Sequence, residues 1–149
     1  MPNFIEFPEL PNSQMQLYYF QSPHKQILED FRAKVIRVID GDTVILRTNF
    51  RNFDFPLRML GIDAPEINEG VEESKRWLEN IILNKEVDIL MDEKQRVGKW
   101  GRLLGVIMSQ GMNINEEAIR DFKAIKFEKQ NEFELPDINK ELDINKWLT

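Results

Sequence analysis

The sequence predicts an α+β domain that is mainly β: a five-stranded barrel with packed helices, preceded by an extended N-terminal arm and followed by a tail. Three observations predict it. Between Ala33 and Ala124 the pattern runs as three strands, a helix, two strands and a helix. At 149 residues the chain suits one domain with a real core. The apolar periodicity is confined to the middle, which divides the chain into an arm (1–30), a domain (31–124) and a tail (125–149). An OB-type barrel fits the count of elements.

The arm holds Pro2, Pro8, Pro11 and Pro23 among Phe4, Phe7, Tyr18, Tyr19 and Phe20, without a steady period. Prolines discourage helix and central strand, and the aromatics need burial. A short helix is expected from His24 to Phe31. The segment either packs across its own domain or docks on a neighbouring subunit.

From Ala33 the pattern changes. Lys34 to Ile39 and Thr43 to Arg47 are β-rich runs around Asp40-Gly41-Asp42, a hairpin signal. Asn52 to Ile62 reads as a third strand. Val71, Leu78, Ile81 and Ile82 share one face of a helix over 68–83, opened by Asn68 with Glu69, Glu72 and Glu73 and stopped at Asn84. Glu86 to Met91 alternates, and Leu103 to Met108 is a mostly apolar strand. Asn113 to Ala124 carries Ile114, Ala118, Ile119 and Phe122 at helical spacing. In the tail, Pro136-Asp137 is placed to open a last short helix.

Composition narrows the chemistry. There is no cysteine, which removes disulfides, thiolate metal sites and cysteine nucleophiles. The single histidine, His24, lies outside the predicted domain, which argues against an imidazole base. No apolar run reaches the length of a membrane span, and no signal peptide is read at the N-terminus. The expected location is cytoplasmic, or virion-associated if the chain is phage-encoded. The net charge is −6, yet residues 31–124 carry 15 Lys/Arg against 16 acids, so the excess sits at the ends. An acidic protein lacks long-range attraction to nucleic acid, but a metal ion and focused arginines can still hold one phosphate.

Three stretches supply such groups. Asp40-Gly41-Asp42-Thr43 is a tight turn that aims the Asp42 carboxylate from a strand end. Arg58 stands five residues before Asp63, which is followed by Ala64, Pro65 and Glu66. An odd separation sends Arg58 and Asp63 to opposite faces of a regular strand, so a bend near Gly61 is required to join them. Val97-Gly98-Lys99-Trp100-Gly101-Arg102 is a glycine-bearing loop that enters a strand without the Walker lysine pattern. Read separately, these are also a turn, a strand exit and a solvated loop.

In order and spacing, Ile39-Asp40-Gly41-Asp42-Thr43, Arg58-Met59-Leu60-Gly61-Ile62-Asp63-Ala64-Pro65-Glu66 and Lys99-Trp100-Gly101-Arg102 resemble the staphylococcal-nuclease (thermonuclease-like) family. The resemblance covers Ala33 to Ala124. It implies an OB-type barrel and a Ca2+-dependent phosphodiesterase that cuts DNA and RNA with little sequence preference, leaving 3′-phosphate and 5′-hydroxyl ends. Asp42 and Asp63 match the family's metal carboxylates, and Ala64 matches a position that offers its backbone carbonyl. Glu66 matches the residue that orders or deprotonates the attacking water, and Arg58 and Arg102 match the phosphate-clamping arginines. Lys99 and Trp100 are the expected substrate contacts, Trp100 standing where the family often has Tyr. Gly98 replaces a frequent acid. Oxygen-only ligation suits Ca2+ or Mg2+ rather than zinc.

Two other functions fit the same pattern. One is a structural or assembly protein on a nuclease fold, docking a protein partner through residues 1–30 and 125–149. The other is a non-catalytic nucleic-acid-binding module.

Overall fold

A computed structural model describes residues 4–5, 7–65, 70–98, 101–121 and 123–126. Its elements are α1 (Asn12–Tyr18), a 3-10 turn (Tyr19–Gln21), β1 (Phe31–Asp40), β2 (Thr43–Arg47), β3 (Phe55–Met59), β4 (Ile62–Asp63), α2 (Gly70–Ile82), β5 (Glu86–Leu90), β6 (Leu103–Ser109), β7 (Met112–Asn113), α3 (Ile114–Arg120) and β8 (Ile125–Lys126). Among these residues no helix is long and apolar enough to cross a membrane.

The strands hydrogen-bond in the order β3-β2-β1-β5-β6, and a parallel pairing of β3 with β6 closes the ring into a five-stranded barrel. β1 can serve two neighbours because it is long and irregular. Its pairing with β2 shifts register between Val35 and Arg37 and again between Val38 and Asp40, and such bulges add the curvature that closure requires. Alternate residues face inward: Val35, Val44, Leu46, Leu57, Ile89, Leu103 and Ile107 are buried. Leu78 and Ile82 of α2 and Ile114 and Ala118 of α3 complete the same core. Asn113 caps α3, its side chain accepting from Glu116 N at 3.1 Å.

Several elements depart from the sequence reading. The helix expected over Asn113 to Ala124 ends at Arg120, and Met112–Asn113 and Ile125–Lys126 form short strands absent from that reading, β7 and β8. The third strand is split: β3 stops at Met59, Leu60-Gly61 turn, and β4 resumes at Ile62. Gly61 has φ +79°, a conformation that glycine adopts without a Cβ penalty. The helix expected over 24–31 is absent. Helix forms instead immediately after Pro11, where the missing N–H costs nothing. Residues 24–27 are straightened because their polar groups bond elsewhere. His24 Nε2 lies 2.7 Å from Pro8 O, Gln26 Oε1 accepts from Leu10 N at 2.6 Å, and Ile27 N donates to Glu9 Oε2 at 2.9 Å. The helix predicted from Pro136 lies outside the described residues.

The Glu9 carboxylate is buried between two buried arginines. It pairs with Arg51 on one oxygen and with Arg96 at 3.2 Å on the other. Arg51 also lies over Phe53 and Phe55, with its guanidinium carbon 4.8 and 4.6 Å from the ring centres. Segment 8–27 is therefore fixed to the barrel by charge, hydrogen bonds and aromatic contact together.

Candidate active site

The β1–β2 turn places Asp42 at the rim of the barrel, only 6% exposed. Both oxygens of its carboxylate have partners. Oδ1 accepts from the Thr43 hydroxyl at 2.9 Å, and Oδ2 accepts from Ala64 N at 2.8 Å. The Asp42 carbonyl accepts from Met59 N at 2.7 Å, which ties the turn to the end of β3.

Arg58 arrives opposite Thr43 through the β2–β3 register. Its guanidinium fills the inside of the Leu60-Gly61 turn. Nη1 donates to Met59 O at 2.9 Å and Ile62 O at 2.8 Å. Nη2 faces two carboxylates, Asp63 Oδ1 at 3.0 Å and Asp42 Oδ2 at 3.3 Å. The bend at Gly61 thus resolves the parity conflict: it rotates Asp63 to the Arg58 side. Asn115 of α3 steadies this turn, donating to Leu60 O at 2.8 Å while accepting from Ile107 N at 3.0 Å.

The β3–β6 pairing brings the third stretch to the same rim. Leu57 lies beside Leu103, so Arg102 enters β6 next to the Arg58 strand. Arg102 Nη1 reaches to 3.5 Å from the Thr43 hydroxyl oxygen. Asp42, Arg58, Asp63, Ala64 and Arg102 therefore share one site. Glu66, Lys99 and Trp100 lie outside the described residues.

Asp40 is a member of the site that the sequence reading treated only as turn chemistry. Its Oδ1 accepts from Asp42 N at 3.0 Å. Burial, reinforced by the neighbouring Asp42, pushes its carboxyl up to about 6. Burial alone raises Asp42 too. The hydrogen bond from Asp40, the charge of Arg58, the Ala64 amide and the Thr43 hydroxyl outweigh it and hold Asp42 below the usual carboxylate range. The available signal was an acid two residues before Asp42, which a tight turn folds back toward it.

Asp42 and Asp63 offer oxygen-only donors of the kind a hard cation takes, and in this structure both turn them toward the Arg58 guanidinium. Among the described residues, no group of three or more His, Cys, Asp or Glu side chains converges closely enough to hold an ion by itself.

Gly41 fixes where this turn sits. A Cβ built on it falls 1.9 Å from Ser74 Oγ of α2 and 3.0 Å from the Ala64 Cβ. Gly41→Ala is expected to cost about 1–3 kcal/mol through overpacking. Urea denaturation checks this: the midpoint falls while the slope stays constant. An unchanged midpoint would show that the turn is not wedged against the helix.

The staphylococcal nuclease homologue family matches residues 56–142. The chain is 28% identical over 120 residues to an Escherichia coli protein described as an uncharacterized endonuclease, covering 77% of this chain and 72% of that one. It is 33% identical over 79 residues to a micrococcal nuclease of Shigella flexneri, covering 52% of this chain and 42% of the relative. An uncharacterized protein of Methanocaldococcus jannaschii is 29% identical over 120 residues, with 62% and 57% covered.

Proposed function

The chain belongs to the staphylococcal nuclease homologue family, and from that premise we propose that it is a divalent-cation-dependent phosphodiesterase acting on DNA or RNA, with Ca2+ as its ion and Mg2+ as the alternative. The observation that carries this reading is the convergence of Asp42, Asp63, Arg58 and Arg102 on one rim of the barrel. Asp42 and Asp63, with the Ala64 carbonyl, would hold the cation. When bound, the cation withdraws charge from the phosphate oxygens.

A phosphodiester resists attack because it is anionic. Arg102 would offer planar, paired donors that match phosphate oxygens, and Arg58 would offer its Nη2 edge where a cation takes up the Asp42 and Asp63 carboxylates that now face it; such donors strengthen as charge builds in the transition state. Arg58 is pre-set for this, since Met59 O and Ile62 O fix its Nη1 edge. Glu66 orients the attacking water and accepts its proton. Water oxygen bonds to phosphorus, the bond from phosphorus to the 5′ oxygen breaks, and the departing 5′ oxygen takes up a proton from solvent water. The products are a 3′-phosphate and a 5′-hydroxyl end.

The test is digestion of plasmid DNA and of RNA in Ca2+, in Mg2+ and in EDTA. Cleavage is expected with a divalent cation and not in EDTA. Glu66→Gln is expected to slow it by roughly 100- to 10,000-fold. No cleavage by the parent protein in any metal removes the enzyme reading. Undiminished cleavage by Glu66→Gln removes the role given to that residue.

A further inference from the structure

We propose that the N-terminal segment is a positioning element for Arg102, acting through Arg96. The stretch from Gln95 to Arg102 ends the β5–β6 connection and enters β6, and the segment contacts it at Arg96 and at Gly101. At its start, the Arg96 side chain is 2% exposed. Its Nε donates to Ile27 O at 2.8 Å. Its Nη1 donates to Leu10 O and to Asn12 Oδ1, both at 3.0 Å, and Nη2 pairs with Glu9 Oε2 at 3.2 Å. These acceptors all belong to the segment before β1. At its other end, Phe7 lies on Gly101, where an added Cβ would stand 2.7 Å from the ring. Gly101 has φ +74° and immediately precedes Arg102.

Between these grips the loop has its own short ladder. Leu104 N donates to Arg96 O at 2.8 Å, Gly98 N to Arg102 O at 2.7 Å and Gly101 N to Gly98 O at 3.0 Å. Holding Arg96 therefore holds the backbone that carries Arg102. A loop with two glycines would otherwise lose much conformational entropy on ordering. A guanidinium stabilises a transition state best when it is already in place. The kinetic part of this inference rests on the phosphodiesterase reading; the structural part does not.

Two readouts on the full-length chain test it. In amide hydrogen exchange, Arg96→Lys and Phe7→Ala are expected to speed exchange at Gly98, Gly101 and Leu104 by about 10- to 100-fold, the loss of one or two charge-assisted bonds or their packing equivalent. Amides of the strands β1 and β2 are expected to speed only by the smaller factor that the loss of global stability sets, measured on the same variants by urea denaturation. In cleavage kinetics, Arg96→Lys is expected to lower kcat about 10-fold with little change in KM, since lysine keeps the charge and lacks the fork. In an Arg102→Ala background the same substitution is expected to cost under about 2-fold, because its effect runs through Arg102. Unaltered loop exchange in both variants overturns the proposal. So does an Arg96→Lys loss of equal size with and without Arg102. If the parent protein cleaves nothing, the exchange experiment alone decides.

Discussion

An Arg58→Ala protein is expected to cleave roughly 100- to 1,000-fold more slowly than its parent, the loss of one preorganised transition-state donor. In EDTA it is also expected to be about 3–5 kcal/mol less stable, the cost of breaking a buried charge pair from one side. The second effect follows from where the side chain sits. Arg58 is buried against Asp42 and bridges to the partly exposed Asp63. Without it, Asp42 keeps the Ala64 amide and the Thr43 hydroxyl but faces neighbouring carboxyl groups with no cation between them. Met59 O and Ile62 O lose a donor as well, which loosens the Gly61 turn. On the proposed cation-dependent reading, Ca2+ would bind the folded form of this variant and not the unfolded chain, so added Ca2+ is expected to recover part of the stability by mass action. Urea denaturation with EDTA and with Ca2+ measures both terms. Equal stability of variant and parent in EDTA would show that the two carboxylates do not depend on Arg58. Arg58→Lys is expected to recover stability better than cleavage, because it restores charge without the planar fork.

How far the sequence reveals this site is decided by range. The hairpin and the separate stretches are local, and period and turn chemistry expose them. Strands β2 and β5 and helix α2 are found within a few residues of their predicted ends. The parity of Arg58 and Asp63 even forces a bend, and Gly61 supplies it. The third strand reads as continuous because its apolar pattern runs through a turn whose only mark is one glycine. Asp40 does not stand out in the sequence because Asp-Gly in a turn already has a sufficient local explanation. The Glu9 pairs were out of reach for a different reason. Their partners lie 42 and 87 residues away, and a buried ion pair between distant loops leaves no periodic trace in either segment. The family's motifs point to candidate site residues; they say nothing of what holds the loop that carries Arg102.

That network sets the other large effect. Glu9→Ala is expected to destabilise the protein by about 3–5 kcal/mol, because it leaves Arg51 and Arg96 buried without their shared carboxylate. The Ile27 amide loses its acceptor in the same step. Glu9→Gln keeps an oxygen for Ile27 and fills the same volume, so it is expected to fall between the parent and the alanine variant. Added salt is expected to change these differences little, since buried pairs are weakly screened. Urea denaturation at low and high salt measures all three proteins. A loss below about 1 kcal/mol for Glu9→Ala is what an exposed pair would give, and it would mean that the segment lies on the barrel without contributing to its fold. The expected larger loss follows from Arg51, which rests on Phe53 and Phe55 at the start of β3. Disturbing Glu9 disturbs that aromatic corner of the barrel, so the segment and the barrel are expected to unfold in one transition.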